Sequence, residues 1–368
     1  MFKVKIYGAG SIGNHLAHAS RRLGWDVVVC DTDPAALERM RTQIYPQRYG
    51  AWDSGIQLCS NREAPVGGFD LVVIGTPPEW HVPLALQSLD ETPRALLIEK
   101  PLSGPDLDPA GELWRRARAS STHVFVGYDH AVGRAARIAS DWIRSGRIGT
   151  LRTIDVDFRE HWGGIFAAHP WLQGPSDTYL GFWQRGGGSL GEHSHGIHLW
   201  QHLAHAGGAG RVSEVSASVH YVNTGQVHYD ELAFLTLRTE SGLTGRVVQD
   251  VITAPTQKRA RVQGTLGILE WVAGVEPGID AVTLTATDGS TAVERVRKTR
   301  PDDFIEELRY IEGQLRTPHS DPALSLSRGL DTLLVIAAAH RAERERAAIR
   351  LLLDQEYGSQ SLAAPTPV

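Results

Sequence analysis

The fold of this chain is decided by a stretch at its N-terminus, Lys3-Val4-Lys5-Ile6-Tyr7-Gly8-Ala9-Gly10-Ser11-Ile12-Gly13. An apolar strand ending at Tyr7 leads directly into a G-x-G-x-x-G turn, and a helix follows the turn. In such a turn Gly8 permits the tight bend, Gly10 lets the backbone approach a pyrophosphate, and Gly13 lets the helix pack close to the strand. Ser11 and Ile12 begin the helix, where free amide groups and the positive end of the helix dipole attract anions. These residues therefore predict a dinucleotide-binding site.

An acidic residue, Asp31, follows the next strand, eighteen positions after Gly13. A carboxylate at this position accepts hydrogen bonds from both hydroxyl groups of the adenosine ribose and repels a 2′-phosphate. The residues after it, Thr32-Asp33-Pro34, offer no arginine that could bind such a phosphate. We therefore predict that the cofactor is NAD rather than NADP. Asp33 has a local role of its own as the N-cap of a helix that starts at Pro34.

The composition is that of a soluble globular protein. Hydrophobic residues make up 42% of the 368-residue chain and charged residues 21%, which excludes the disordered and membrane classes. The apolar runs are shorter than the ~18 residues that span a bilayer, and the chain opens on a strand rather than a signal peptide. A net charge of −5 argues against nucleic acid as a partner, and the two cysteines, Cys30 and Cys59, suit a reducing compartment. We expect a cytoplasmic protein with neither a nucleic-acid nor a membrane partner.

The chain divides into two parts with different patterns. After Asp31, apolar strands at Phe69 to Ile74, Ala95 to Ile98 and His123 to Gly127 alternate with helical segments, which predicts a parallel α/β sheet. Between residues 151 and 263, β-rich segments are separated by Gly, Asn and Thr at hairpin-like intervals, which predicts a large, mostly antiparallel sheet. We expect domains at residues 1–128 and 129–368, with the first binding the dinucleotide.

Four further motifs occur in a recognisable order and spacing: Thr76-Pro77-Pro78 with His81, Glu99-Lys100-Pro101-Leu102, Val126-Gly127-Tyr128, and Gly186-Gly187-Gly188 before a helix with an acid and histidines. With the glycine turn, they resemble the Gfo/Idh/MocA oxidoreductases, the glucose-fructose oxidoreductase and inositol dehydrogenase group, over nearly the whole chain. The resemblance implies a Rossmann domain followed by an α/β domain with an open sheet that joins homodimers or homotetramers. It also implies NAD(P)-linked hydride transfer at a secondary alcohol or ketone carbon of a sugar, a polyol or a sugar derivative.

Lys100 is the first candidate for the chemistry. Oxidising a secondary alcohol needs a proton acceptor and a group that stabilises developing negative charge on oxygen. Lys100 follows a buried strand beside the expected nicotinamide site, directly after the acidic residue Glu99. The carboxyl ends of these parallel strands form the ligand-binding edge of the sheet. We therefore predict that this edge binds the cofactor through Thr76, Pro77, His81, Glu99 and Lys100.

The glycine-rich helix supplies the second candidate. By the resemblance, Glu192 is the counterpart of the family's usual aspartate and His195 is the counterpart of its catalytic histidine. Glutamate is one methylene longer than aspartate, and His198 stands where an aspartate often follows, so His193 or His198 could share the role of His195. We predict that His195 accepts the proton, that Lys100 polarises the oxygen, and that Glu192 completes the catalytic set.

A zinc site on the same helix is an alternative. His195, His198, His202 and His205 are spaced so that they lie on one helical face, and Glu192 could add a ligand. At 1.5 Å per residue, however, ~15 Å separate His195 from His205, so at most a neighbouring pair could share one ion. We therefore predict no metal, with the paired-histidine alternative left open.

Aromatic residues suggest where a substrate binds. Sugar rings stack their C–H faces on aromatic side chains, and Trp162 and Trp183 lie in an aromatic-rich stretch before the glycine run. Ordinary core packing or a subunit contact explains such residues equally well. The resemblance places Tyr128 and His130 opposite the substrate. The predicted substrate-binding residues are Tyr128, His130, Trp162, Trp183 and His198.

Two rival functions use the same fold. One is a glycosidase-like or lyase-like enzyme that retains NAD and uses transient oxidation to assist elimination. The other is a non-enzymatic regulator that senses a dinucleotide or a sugar. The presence of Lys100 and His195 argues against the second rival.

Overall fold

A computed structural model describes residues 2–167, 169 and 171–363. The first part of the chain forms a six-stranded parallel sheet in the order β3-β2-β1-β4-β5-β6. Its strands and α-helices are β1 Lys3–Tyr7, α1 Ser11–Arg22, β2 Asp26–Asp31, α2 Pro34–Arg39, α3 Tyr45–Tyr49, β3 Ile56–Ser60, β4 Leu71–Ile74, α4 His81–Asp90, β5 Ala95–Glu99, α5 Asp108–Arg118 and β6 His123–Gly127.

The sheet has the burial that a parallel sheet requires. Every residue of β4 and β5 is buried, as expected for central strands covered on both faces. The order reverses between β1 and β4, and ligands of open α/β sheets bind at the carboxyl ends of strands at such a point. Gly8 has φ +102°, and a Cβ at Gly13 would lie 1.9 Å from the Gly8 carbonyl oxygen. The predicted glycine turn is therefore confirmed as a steric requirement.

The second part of the chain contains a nine-stranded sheet in the order β14-β13-β12-β11-β7-β10-β9-β8-β15. Strands β7 and β10 are parallel, and the other neighbours are antiparallel. The elements are α6 Arg134–Arg144, β7 Leu151–Arg159, α7 Gly163–Ala167, α8 Gly188–Glu192, α9 His195–Ala206, β8 Val212–Asn223, β9 His228–Thr239, β10 Thr244–Asp250, β11 Gln257–Gly264, β12 Gly267–Glu276, β13 Ile279–Ala286, β14 Thr291–Arg297, α10 Arg300–Arg316, α11 Leu326–Glu345 and β15 Ile349–Arg350.

The predicted α/β fold with a parallel and a mostly antiparallel sheet is confirmed, with local corrections. Strand β3 is an additional strand of the parallel sheet that the sequence does not predict. Strands β12 to β14 continue the sheet beyond the last predicted strand. The helix expected near Ser189 is interrupted at His193–Ser194, so that α8 and α9 are separate. The sequence predicts a last long helix from Ser325 to about Leu353, but α11 ends at Glu345, because Arg346 adopts a left-handed backbone conformation with φ 53°.

Helix α10 and the segment before α11 contact the part of the chain that forms the parallel sheet. Helix α10 packs against α1, where the rings of His15 and Phe304 stack with centroids 4.8 Å apart. Just before α11, the Leu324 carbonyl accepts a 2.8 Å hydrogen bond from the Val126 amide in β6. The division into domains at residue 128 stays a prediction. Among the helices of the described residues, none has the length and hydropathy needed for a bilayer crossing.

Candidate active site

The glycine turn and the end of β2 are hydrogen-bonded to each other. The Asp31 carboxylate accepts from the Ala9 amide at 2.7 Å and from the Asp33 amide at 2.9 Å. Asp33 in turn accepts from the Ala35 amide at 2.9 Å, which confirms it as the N-cap of α2. The carboxylate that is predicted to bind ribose is therefore fixed beside the turn.

The turn fits a bound dinucleotide. Among the described residues, a Cβ on Gly10 would meet nothing within 4 Å apart from its own chain neighbours, so a phosphate can approach the backbone there. The N-cap of α1 is Gly10 itself, which has no side chain to occupy the first amides of the helix. Ser11 and Ile12 begin that helix, as predicted. These features are what a pyrophosphate requires at a helix N-terminus.

His81 connects the two loops at the carboxyl edge of the sheet. Its ring nitrogens lie 2.7 Å from the Thr76 carbonyl oxygen and 2.9 Å from the Pro101 carbonyl oxygen. Burial lowers the pKa of His81, so the imidazole is neutral and donates to one of the two carbonyls at a time. His81 is fully enclosed, and it positions the loop that contains Thr76 and Pro77 against the loop that follows Lys100.

Lys100 is paired with Glu192. The Lys100 Nζ donates to the Glu192 carbonyl oxygen at 3.0 Å and lies 3.2 Å from its Oε2 atom. The Tyr179 hydroxyl donates to the same carboxylate at 3.4 Å. The structure thus brings together two of the residues assigned to the chemistry, and the acid contacts the lysine rather than a histidine.

His195 faces a different acid, Asp129. The His195 Nδ1 atom lies 3.6 Å from Asp129 Oδ1, which is longer than a hydrogen bond but close for a charge. The same oxygen is 2.7 Å from His130 Nδ1, and the two imidazole rings lie 4.4 Å apart. Burial lowers the pKa of His195 well below its ordinary value, with a further contribution from His130. Burial alone would raise the pKa of Asp129, but His130 and His195 hold it well below its usual range.

The other histidines of this region have partners elsewhere in the protein. His193 Nε2 lies 3.1 Å from the Glu160 carbonyl oxygen, and burial lowers its pKa to about 4. His198 stacks on Tyr128 with centroids 4.2 Å apart, and its Nε2 atom lies 3.1 Å from the Ala323 carbonyl oxygen. His202 contacts Ser140 at 2.9 Å, and His205 contacts Asp321 at 2.6 Å. His195 is therefore the histidine of α9 whose surroundings best suit a proton acceptor.

Glu99 lies behind Lys100 in a buried acidic region. A Cβ at Gly127 would come within 2.9 Å of Glu99 Oε1, so the glycine makes room for this carboxyl group. Burial, reinforced by Asp129, raises the pKa of Glu99 to about 8. Glu307 on α10 is also buried, and both of its carboxyl oxygens lack a hydrogen-bond partner among the described residues. Burial and the nearby Glu99 raise the pKa of Glu307 well above its ordinary value.

The raised pKa of Glu99 predicts a pH-dependent stability. As pH rises from the ordinary value of 4.5 towards about 8, the unfolded chain releases this proton while the folded protein keeps it, so stability falls. Glu99→Gln removes that loss. We expect its unfolding free energy relative to wild type to rise between pH 5 and 8 by more than about 1.4 kcal/mol, the equivalent of one pKa unit. Urea unfolding across this pH range measures the difference.

The matched control is Glu270→Gln, which neutralises an exposed carboxyl on β12. A pH-independent difference between Glu99→Gln and wild type would show that Glu99 is charged in the folded protein at neutral pH.

The two predicted tryptophans pack against other parts of the protein. Trp162 is buried in a small apolar cluster with Leu180 and Val251. Trp183 is partly buried and stacks on His340, with ring centroids 4.4 Å apart. A role for either ring in substrate binding stays a prediction, since both have protein partners that account for their positions.

Two features of the site were missed at the sequence level. Asp129 was not assigned as the partner of His195, although its place directly after Tyr128 is a usable signal. Tyr179 was not assigned to the lysine pair, and no local pattern indicates that contact.

Asp129, His130 and His195 also form a group in the described chain whose potential ligand atoms lie within 4.8 Å of one another. Within this group, Asp129 and His130 are hydrogen-bonded at 2.7 Å, whereas His195 Nδ1 lies 3.6 Å from the carboxylate.

Comparison with known proteins covers both parts of the chain. A family model described as an oxidoreductase family with an NAD-binding Rossmann fold matches residues 2–128. A model of the Gfo/Idh/MocA C-terminal domain matches residues 136–270. Together the two models match well over half of the chain.

Curated relatives match over a limited region. A glycosyl hydrolase family 109 protein of Shewanella pealeana is 26% identical over 157 residues, which are 40% of this chain and 33% of the relative. An alpha-N-acetylgalactosaminidase of Shewanella oneidensis is 24% identical over 157 residues, again 40% of this chain and 33% of the relative. The chain thus matches about a third of the length of these relatives.

Solved structures match over nearly the whole chain. A levoglucosan dehydrogenase in complex with NADH and L-sorbose has a TM-score of 0.75 at 16% identity, covering 95% of this chain and 98% of the other. The WlbA dehydrogenase of Bordetella pertussis, in complex with NADH and UDP-GlcNAcA, has a TM-score of 0.70 at 19% identity, covering 96% and 99%. At these identities the likeness establishes the fold. The two family models show that the chain belongs to the Gfo/Idh/MocA family of NAD-binding oxidoreductases.

Proposed function

We propose that this protein transfers hydride between NAD and a secondary alcohol or ketone carbon of a sugar, a polyol or a sugar derivative. The observation that carries the proposal is the pairing of two acid–base units at one edge of the Rossmann sheet. One unit is Lys100 with Glu192, and the other is His195 with Asp129. The two units meet where the two helices adjoin, because Glu192 is the last residue of α8 and His195 is the first residue of α9.

The residues divide the proton chemistry between them. Bound NAD⁺ supplies the hydride acceptor. The Lys100 ammonium group, oriented by Glu192, stabilises negative charge on the substrate oxygen. The neutral His195 imidazole accepts the hydroxyl proton, and the buried Asp129 carboxylate stabilises the imidazolium that forms. The proposed chemistry uses no metal.

The substrate class rests on the family and on the surroundings of the site. The two solved relatives described above were crystallised with L-sorbose and with UDP-GlcNAcA, which are both sugar-like ligands. His130 lies next to Asp129 at the site, and Tyr128 supports α9 through His198. We keep the prediction that a carbohydrate-like ligand contacts this region, including Trp162 and Trp183.

A substrate screen tests the proposed function. Wild-type protein is incubated with NAD⁺ and a panel of sugars, polyols and glycosides, and NADH formation is followed by absorbance. The proposal expects stoichiometric NADH with at least one free sugar or polyol. Tight NAD⁺ binding with no turnover on any compound would favour the sensor instead.

The second candidate is a glycosidase that retains NAD. The partial likeness to glycosyl hydrolase family 109 proteins favours it specifically. In such an enzyme the oxidised intermediate is reduced again before product leaves, so glycoside is cleaved without net NADH. Net NADH therefore separates the two functions.

The contacts of Asp31 predict the cofactor preference. Its carboxylate is held beside the glycine turn, where it repels a 2′-phosphate. We expect wild-type protein to bind NAD⁺ at least about tenfold more tightly than NADP⁺, and Asp31→Asn to reduce this ratio about tenfold. Isothermal titration with both cofactors measures the ratio, with Asp26→Asn at the exposed start of β2 as the control. Tighter NADP⁺ binding by wild type would refute the assignment.

Assembly and location complete the proposal. Exposed apolar side chains, among them Phe234 on β9 and Val293 on β14, lie on strands of the nine-stranded sheet. They support a homodimer or homotetramer formed through this sheet, which sedimentation analysis would detect.

Cys30 and Cys59 are both free thiols, with their sulfur atoms 3.3 Å apart, and they support the expected reducing, cytoplasmic location.

A further inference from the structure

Arg48 contacts the first residue of α1, where the glycine turn becomes a helix. Its Nη1 atom donates to the Ser11 carbonyl oxygen at 2.9 Å, and its Nη2 atom donates to Ser11 Oγ at 2.8 Å. The two residues are 37 positions apart, and the proposed function gives Arg48 no role.

Aromatic packing between α3 and α1 fixes the position of Arg48. The Tyr49 ring stacks on the His18 ring with centroids 3.6 Å apart, and the Tyr45 hydroxyl lies 3.1 Å from His18 Nδ1. The Tyr49 hydroxyl also contacts His15 Nδ1. Since Tyr45 and Tyr49 begin and end α3, these contacts hold the intervening guanidinium against the start of α1.

The contact leaves the hydroxyl proton of Ser11 available. A guanidinium has donors only, so Ser11 Oγ is the acceptor in its hydrogen bond with Arg48. The first turn of α1 contains no acidic residue, and its N-cap has no side-chain hydrogen bond. A phosphate oxygen at the turn would therefore meet free backbone amides and the Ser11 hydroxyl as donors.

The positive charge of Arg48 lies at the start of α1 without a negatively charged partner among the described residues. In the part of the chain that the structure describes, both side-chain hydrogen bonds of Arg48 go to Ser11, and no carboxylate lies within ion-pair distance. Burial lowers the pKa of Arg48, and the positive charge of Arg300 on α10 adds to that effect. A partly buried cation without a partner is costly, and an anion bound beside it would relieve the cost.

We propose that Arg48 is a positioning residue for the dinucleotide: it holds Ser11 so that the Ser11 hydroxyl donates to the pyrophosphate of NAD. This inference rests on the proposed use of NAD. Asp31 at the end of β2 marks the position of the adenosine ribose, so the role assigned to Arg48 concerns the pyrophosphate rather than a 2′-phosphate.

Binding measurements on variants test the proposal without any turnover. Affinities for NAD⁺ and for ADP, a probe that contains the pyrophosphate, are measured by isothermal titration. Arg48→Met is expected to weaken both about tenfold, because a charge-assisted arrangement of donors is lost. Arg48→Lys keeps the charge but cannot span two oxygen atoms, so an intermediate loss is expected. Arg41→Met is the control, since Arg41 is an exposed residue of the same segment that pairs with Glu38.

A double-mutant cycle separates positioning from a general structural role. If Arg48 acts through Ser11, Arg48→Met should have little further effect in a Ser11→Ala background. Equal losses in both backgrounds, or an unchanged NAD⁺ affinity in Arg48→Met, would overturn the proposal. If Arg48→Met does not fold, the Arg48→Lys variant decides the question. An NAD⁺ affinity equal to that of wild type overturns the proposal, whereas an intermediate affinity that depends on Ser11 supports it.

The outcome is separable from that of the proposed function. Wild-type protein that shows the Arg48 effect on ADP but never forms NADH contradicts the proposed function and leaves the role of Arg48 intact. NADH formation with an unchanged NAD⁺ affinity in Arg48→Met overturns the role of Arg48 alone.

Discussion

Lys100→Met is expected to reduce kcat about a thousandfold while NAD⁺ binding weakens by less than about tenfold. Methionine keeps the length of the side chain but removes the ammonium group that is hydrogen-bonded to the Glu192 carbonyl oxygen. Without that charge, nothing else in the proposed mechanism stabilises the substrate oxygen as hydride leaves. Initial rates of NADH formation and titration with NAD⁺ give the two quantities.

The control for Lys100→Met is Lys3→Met, which removes an exposed ammonium group at the start of β1. It is expected to leave both kcat and NAD⁺ binding unchanged. A near-normal kcat in Lys100→Met would remove the lysine from the mechanism. A parallel loss of NAD⁺ binding would assign it to the cofactor instead.

His195→Asn should reduce kcat about 10²- to 10⁴-fold, the usual range for loss of a general base. Asparagine is polar and of similar bulk near the backbone, but it cannot accept a proton at neutral pH. The loss should shrink as pH rises, because hydroxide and deprotonated buffer then compete as proton acceptors. The pH profile of kcat is the measurement that reports this role.

His198→Asn is the matched control for the histidine. It lies one helical turn further along α9, where it stacks on Tyr128 and contacts the Ala323 carbonyl oxygen. We expect a modest loss of stability and a kcat within about tenfold of wild type. The reverse result, with a large loss of kcat in His198→Asn and little in His195→Asn, would assign the base to His198.

Local patterns were sufficient to predict five of the six strands of the parallel sheet, and the edge strand β3 was missed. Strand β1, the glycine turn and Asp31 follow one another within a short stretch. The residues that meet their steric and hydrogen-bonding requirements are therefore close together in the sequence. Strand β14 shows the opposite case. Among its residues only Val296 is buried, so this edge strand has no alternation of apolar and polar residues to detect. Strands β12 and β13, which connect β11 to β14, were also not predicted from the sequence.

The partners within the site could not be predicted in the same way. The sequence indicates Lys100, Glu192 and His195, but the contact between Lys100 and Glu192 joins residues that are 92 positions apart. The sequence led us to expect that Glu192 contacts the substrate or a histidine, and nothing in it indicated the contact with Lys100. The packing of α8 and α9 against the sheet decides it, and places His195 beside Asp129 instead. The same limit applies to Trp162, whose burial depends on a cluster assembled from three separate segments.

The central claim is net hydride transfer to NAD, and isotope transfer tests it most directly. A substrate found in the screen is prepared with deuterium at the reacting carbon and incubated with NAD⁺ and wild-type protein. We expect one equivalent of NADH that carries the deuterium for each molecule of ketone formed. Cleavage of the sugar with NAD⁺ unchanged, or NADH that lacks the deuterium, would contradict the account.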